Sequence, residues 1–154
     1  LPFQISSDRA SKMPESSVEN VSLKGKRALL VEDNELNMEI AQFILENENM
    51  LVRCAWNGKE AVDIFARSKP GEYDLILMDI KMPNLDGLEA TKIIRELSAT
   101  VPIVVQSAYA YPQDQKAAKE AGCSDFISKP IVQSELKKML NKWLSPELNN
   151  KIQE

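Results

Sequence analysis

Leu75-Ile76-Leu77-Met78-Asp79-Ile80-Lys81-Met82-Pro83 is the stretch on which the fold turns. Leu75 to Asp79 is a short apolar run closed by a carboxylate, the pattern of a central parallel strand buried on both faces. Working outward, four further runs read as strands: Arg27 to Val31, Leu51 to Ala55, Ile103 to Ser107 and Asp125 to Ser128. Between them lie segments of helical period. The first helix is expected from about Glu35 to Glu48, with Asn34 as cap and Leu36, Ile40 and Ile44 on one stripe. The second opens at Asn57-Gly58-Lys59-Glu60, where an N-cap residue precedes an acidic one three positions on, and runs through Ser68. Asp86 caps the third, with Ala90, Ile93, Ile94 and Leu97 in helical register. A weaker, Ala-rich helix from Gln113 to Ala121 is closed by Gly122, and Leu136, Met139, Leu140, Trp143 and Leu144 form an amphipathic stripe for the last. Strand and helix alternate five times, which predicts an α/β fold: a five-stranded parallel sheet with helices on both faces, doubly wound and flavodoxin-like.

Residues 24–146 hold this pattern; residues 1–23 are expected to be a linker and 147–154 a tail. The chain has 154 residues, room for one domain with a real core. A net charge of −4 gives no electrostatic footprint for nucleic acid or an anionic membrane. No apolar run approaches the roughly 20 residues that span a bilayer. Cys54 and Cys123 show no metal-type spacing and read as free thiols in a reducing cytoplasm. The chain contains no histidine, hence no imidazole base and no phosphohistidine of its own.

In an open parallel sheet, chemistry gathers beyond the carboxyl ends of the strands. There lie Glu32 and Asp33, then Asp79, then Ser107, then Lys129-Pro130. Three carboxylates in one crevice repel one another and call for a cation, and magnesium, which prefers oxygen donors, suits them. Lys129 adds a compact positive charge for a phosphoryl group, Asp79 is a carboxylate nucleophile, and Ser107 is a hydrogen-bond donor. Taken singly, each of these residues reads as a solvated turn, a helix cap or a surface charge; only their conjunction is specific.

The strings Val31-Glu32-Asp33-Asn34, Leu77-Met78-Asp79-Ile80-Lys81-Met82-Pro83, Ser107-Ala108 and Lys129-Pro130 resemble the receiver domains of response regulators in two-component signalling. The resemblance implies that Asp79 accepts a phosphoryl group from a phosphohistidine on a histidine kinase or a histidine phosphotransfer domain. It implies Mg2+ held by Glu32, Asp33, Asp79 and the Lys81 backbone carbonyl, and a cis bond before Pro130. Ser107 and Phe126 take the family's switch positions, which would alter a protein-binding face made of the fourth helix, fifth strand and last helix. Val132 stands where the family often has a capping Asp. The string through Asn37, and the likeness of Leu1-Pro2-Phe3 to the end of a kinase ATP-binding domain, point to the receiver of a hybrid sensor histidine kinase, located in the cytoplasm. The rival readings are a pseudo-receiver that is never phosphorylated, a flavodoxin-like cofactor binder and a dehalogenase-type phosphatase. The intact acceptor set opposes the first, Glu32-Asp33 in place of a phosphate-cradling loop opposes the second, and Lys81 where an acid is needed opposes the third.

Lys81 and Tyr109 fall where the family borders the approach of hydrolytic water to the phosphorus. Their bulk predicts slow self-dephosphorylation. Decay of the phosphorylated chain is expected to accelerate in a variant combining Lys81→Asn with Tyr109→Ala, and an unchanged decay rate refutes the assignment.

Overall fold

The computed structural model describes residues 23–80, 86–107 and 112–144. Five strands, β1 (Arg27–Val31), β2 (Leu51–Ala55), β3 (Leu75–Asp79), β4 (Ile103–Ser107) and β5 (Asp125–Ser128), alternate with five helices among the described residues. These are α1 (Glu35–Asn47), α2 (Gly58–Arg67), α3 (Gly87–Leu97), α4 (Pro112–Ala121) and α5 (Gln133–Leu144). All strand pairs are parallel, in the order β2-β1-β3-β4-β5. The expected doubly wound sheet is therefore present. Its winding reverses between β1 and β3, so the crevice of the fold opens where Glu32-Asp33 and Asp79 end their strands.

Alternation along the strands divides the core in two. Ala28, Leu30, Leu75, Leu77, Val104 and Ile127 pack under α1 and α5, against Met38, Leu45, Leu136 and Leu140. Leu29, Val31, Ile76, Met78, Ile103 and Val105 pack under α2, α3 and α4, against Ala61, Ala90, Ile94 and Ala118. Every residue of β3 and β4 is buried, as a two-sided sheet requires.

The helix starts are set by side chains. Asn34, Asn57 and Asp86 accept the backbone N–H of Asn37, Glu60 and Glu89 at 2.9, 2.8 and 2.9 Å. Arg95 of α3 reaches the Gly122 carbonyl at 2.7 Å and Ser124 Oγ at 3.1 Å, fastening α3 to the connection before β5. Cys54 and Cys123 are free and partly buried, and burial pushes both thiols up.

The stripe of Leu36, Ile40 and Ile44 is not what α1 turns to the sheet, apart from Ile44. Met38, Ala41, Ile44 and Leu45 are buried, whereas Leu36 and Ile40 are exposed together with Phe43. At about 100° per residue, Leu36, Ile40 and Phe43 form one narrow stripe and Met38, Ala41 and Leu45 a second on the other side, with Ile44 at the border. A helix apolar on two sides does not reveal in its sequence which side the sheet takes.

Gly87, the first residue of α3, presses this helix onto the acceptor strand. Its N–H donates to the Ile80 carbonyl at 2.8 Å, and a Cβ there would stand 1.9 Å from the Asp79 carbonyl oxygen and 2.9 Å from Ile80 Cα. Both obstacles are backbone and cannot rotate aside. Gly87→Ala is expected to cost about 1–3 kcal/mol, the range for overpacking, read as a lower urea midpoint; an unchanged midpoint would show that α3 is not seated this closely.

Candidate functional site

Each member of the site is delivered by the end of a strand. Glu32 follows β1, its N–H bound to the Ala55 carbonyl at 3.0 Å, and its Oε2 accepts the Asn34 N–H at 3.2 Å. Asp79 closes β3; the next N–H, of Ile80, donates to the Gln106 carbonyl of β4 at 3.1 Å. Lys129 follows β5 and donates its N–H to the Ser107 carbonyl at 2.7 Å. The Lys129-Pro130 peptide is cis.

These backbone ties bring the side chains together. Lys129 Nζ lies 2.8 Å from Glu32 Oε1 and 3.2 Å from Asp79 Oδ2. Glu32, Asp79 and Ser107 are buried, while Asp33 is exposed at the mouth. Carboxylate oxygens of Glu32, Asp33 and Asp79 all fall within 4.8 Å of one another. The structure thus gathers Glu32, Asp33, Asp79 and Lys129 in contact range, with Ser107 one residue beyond Gln106, the register partner of Asp79. Lys81 and Tyr109 lie outside the described residues.

The electrostatics follow from this crowding. Burial first, then the charge of Glu32, push the Asp79 carboxyl up to about 7, against the pull of the Lys129 ammonium. For Lys129, burial works against its charge, but the Glu32 hydrogen bond and the Asp79 and Glu32 charges outweigh it, so the ammonium is held above its usual range. Lys129 stays charged, and Asp79 carries the unrelieved repulsion. Among the described residues, three carboxylates face one ammonium, so full ionisation of all three would leave two negative charges in excess. Three oxygen donors so placed suit a hard divalent cation such as magnesium.

Phe126 packs against the core under α2, α3 and α4, on the strand register of Val105. Beside it, Asp125 Oδ2 accepts Lys142 Nζ and Trp143 Nε1, each at 3.0 Å, which ties α5 to β5. Two residues near the acceptor escaped the sequence reading. Gly87 is one, signalled only by an Asp-Gly step at a helix start. Gln106 is the other: it is fully buried, and neither atom of its amide has a hydrogen-bond partner. Leaving a buried amide group unpaired costs about 1–3 kcal/mol. Its sequence signal was a polar residue inside an apolar central strand.

Comparison with known proteins gives the same picture. The response regulator receiver domain family matches residues 28–141. Hybrid signal transduction histidine kinase I of Dictyostelium discoideum is 37% identical over 122 residues, 75% of this chain, which spans only 7% of that kinase. The receiver domain of a Pseudomonas aeruginosa sensor histidine kinase, crystallised with magnesium coordinated in its active-site cleft, superposes with a TM-score of 0.71 at 36% identity, covering 77% of this chain and 97% of that one. The receiver domain of a Saccharomyces cerevisiae response regulator, crystallised with a histidine phosphotransfer protein, gives 0.72 at 32% identity, with 78% and 89% covered.

A proton on Asp79 and a cation among the carboxylates compete for the same oxygens. With the carboxyl at about 7, magnesium binding is expected to be about tenfold weaker at pH 6 than at pH 8. Titration at the two pH values checks this, and equal affinities would place the cation away from Asp79.

Proposed function

This chain belongs to the response regulator receiver domain family, and we propose that it acts as a phosphoacceptor in which Asp79 takes a phosphoryl group from a phosphohistidine in a magnesium-dependent reaction. The observation that carries this reading is the Lys129 ammonium, 2.8 and 3.2 Å from two buried carboxylates in an acidic crevice. A structural salt bridge needs one carboxylate. Here a second, and Asp33 at the mouth, add negative charge that a proton on Asp79 or a bound cation would relieve.

Asp79 Oδ attacks phosphorus in line with the leaving nitrogen of the phosphohistidine. The new bond is an acyl phosphate, the P–N bond breaks, and its electron pair returns to the imidazole, which takes a proton from water. Glu32, Asp33 and Asp79 would hold magnesium, which would supply charge neutralisation for the phosphoryl oxygens. Lys129 neutralises a further oxygen, and Ser107 donates to a third. Because Asp79 must be ionised to attack, its raised carboxyl is poised for a cation to release the proton. A pseudo-receiver would have no use for this set.

The donor is read as a histidine kinase or histidine phosphotransfer protein, as in the yeast complex. A docking surface of suitable character lies beside the crevice. Leu36 and Phe43 are 64% and 66% exposed on α1, with Ile40 between them, just after Asp33 and Asn34. Leaving a large apolar side chain in water forgoes about 1.5–3 kcal/mol, which favours a partner helix over this stripe. The output face is read on α4, β5 and α5, where Phe126 and the Asp125 network lie. On phosphorylation, Ser107 would move to the phosphoryl group and Phe126 would repack, shifting the population of that face. The hybrid-kinase relatives support a hybrid sensor kinase as the parent protein.

Acid-labile phosphate formed with acetyl phosphate and magnesium is the direct test. Asp79→Asn is expected to abolish it, and removal of magnesium by a chelator to reduce it to background. Labelling of Asp79→Asn at the parent rate would falsify the reading.

A further inference from the structure

Among the described residues, Gln106 is a fully buried polar side chain that the phosphoryl chemistry leaves unused. It sits in the crossing point of the site. Gln106 and Asp79 are register partners on neighbouring strands, and strand alternation puts both on the face under α1 and α5, with Val104 and Leu77. Lys129 starts from the end of β5 and reaches Asp79 on β3 and Glu32 beyond β1. Because β4 lies between β5 and β3, the lysine side chain has to cross β4, and Gln106 is the β4 residue on that face at the level of Asp79.

Both atoms of the Gln106 amide are without a partner. An apolar side chain of the same length would fill this place with no unpaired group. A buried amide without a partner calls for an explanation, and a partner gained in another state of the site is one. Lys129 is the group whose bonding must change. Its ammonium occupies the carboxylates that are also the cation's donors, and a divalent cation there repels it and withdraws their lone pairs. The displaced ammonium then needs an acceptor that is not a carboxylate.

We propose that Gln106 is a positioning residue for Lys129: its amide oxygen accepts the ammonium when a divalent cation occupies the Glu32, Asp33 and Asp79 carboxylates. Lys129 is thereby kept over the acceptor rather than released to solvent, ready for the incoming phosphoryl oxygen. This inference rests on the phosphoacceptor reading and adds to it a residue that holds the lysine between its two tasks.

The test is magnesium titration of the whole chain. Gln106→Met keeps the length and removes the amide. It is expected to weaken magnesium binding about tenfold, the weight of one hydrogen bond to a charged group, while the urea midpoint of the metal-free chain stays level or rises. In a Lys129→Met background the same substitution is expected to leave magnesium affinity unaltered. In the parent, the Gln106 side-chain amide resonance is expected to shift as magnesium is added, and to stay still in Lys129→Met. An unchanged affinity in Gln106→Met, or a loss that persists without Lys129, overturns the proposal. Should Gln106→Met fail to fold, the resonance decides: one that is stationary in the parent, or moves equally in Lys129→Met, overturns it. A parent that binds no magnesium overturns the phosphoacceptor reading as well, whereas one that binds magnesium with Gln106 undisturbed overturns this inference alone.

Discussion

A single ammonium holding two buried carboxylates is the interaction on which the rest of the molecule depends. Lys129 joins the end of β5 to the ends of β3 and β1, so one side chain spans the working edge of the sheet. Desolvating charges of this kind is repaid only when geometry and hydrogen bonding are good. Here the repayment is incomplete, because Glu32 and Asp79 share one cation and Asp79 keeps its proton to about pH 7. Among the described residues the site is built in deficit of positive charge, which suits it to a divalent cation and, on the phosphoacceptor reading, to a phosphoryl group.

The scaffold around this deficit is stiff where it must be. β3 and β4 are buried on both faces, and the backbone after Asp79 is pinned from two directions, by Gln106 through Ile80 N–H and by Gly87 through the Ile80 carbonyl. The Asp79 carboxylate thus stands on a backbone held by hydrogen bonds on both sides. In contrast, the surfaces that would meet partners keep apolar groups in water or in reserve: the α1 stripe beside the mouth, and Phe126 on the far side of the sheet. On the phosphoacceptor reading, separating the two surfaces would let a donor dock without covering the face that reads the outcome.

Much of this was legible from residue pattern. Alternating apolar runs and helical periods specify a parallel sheet, because a strand such as Leu75–Asp79 is stable only when covered on both faces. The caps Asn34, Asn57 and Asp86 were readable because capping is a contact between residues three apart. The conjunction of Glu32, Asp33, Asp79 and Lys129 was readable because a parallel sheet places the ends of all its strands on one edge.

Tertiary structure decided the rest. Which side of α1 meets the sheet was open, since Leu36, Ile40 and Phe43 are as apolar as Met38, Ala41 and Leu45, and only the crossing of the helix over β1 and β2 selects between them. That Gly87 must lack a side chain follows from the approach of α3 to the Asp79 carbonyl, a distance no local pattern encodes. The place of Gln106 beside Asp79, with its amide unpaired, follows only from strand register and packing. The chain's residues thus determined by themselves its elements and its stock of charges. Their distances, and hence the raised carboxyl of Asp79 and the strain between neighbouring charges, arose only from packing, because electrostatic energy depends on separation and burial, which sequence order does not contain.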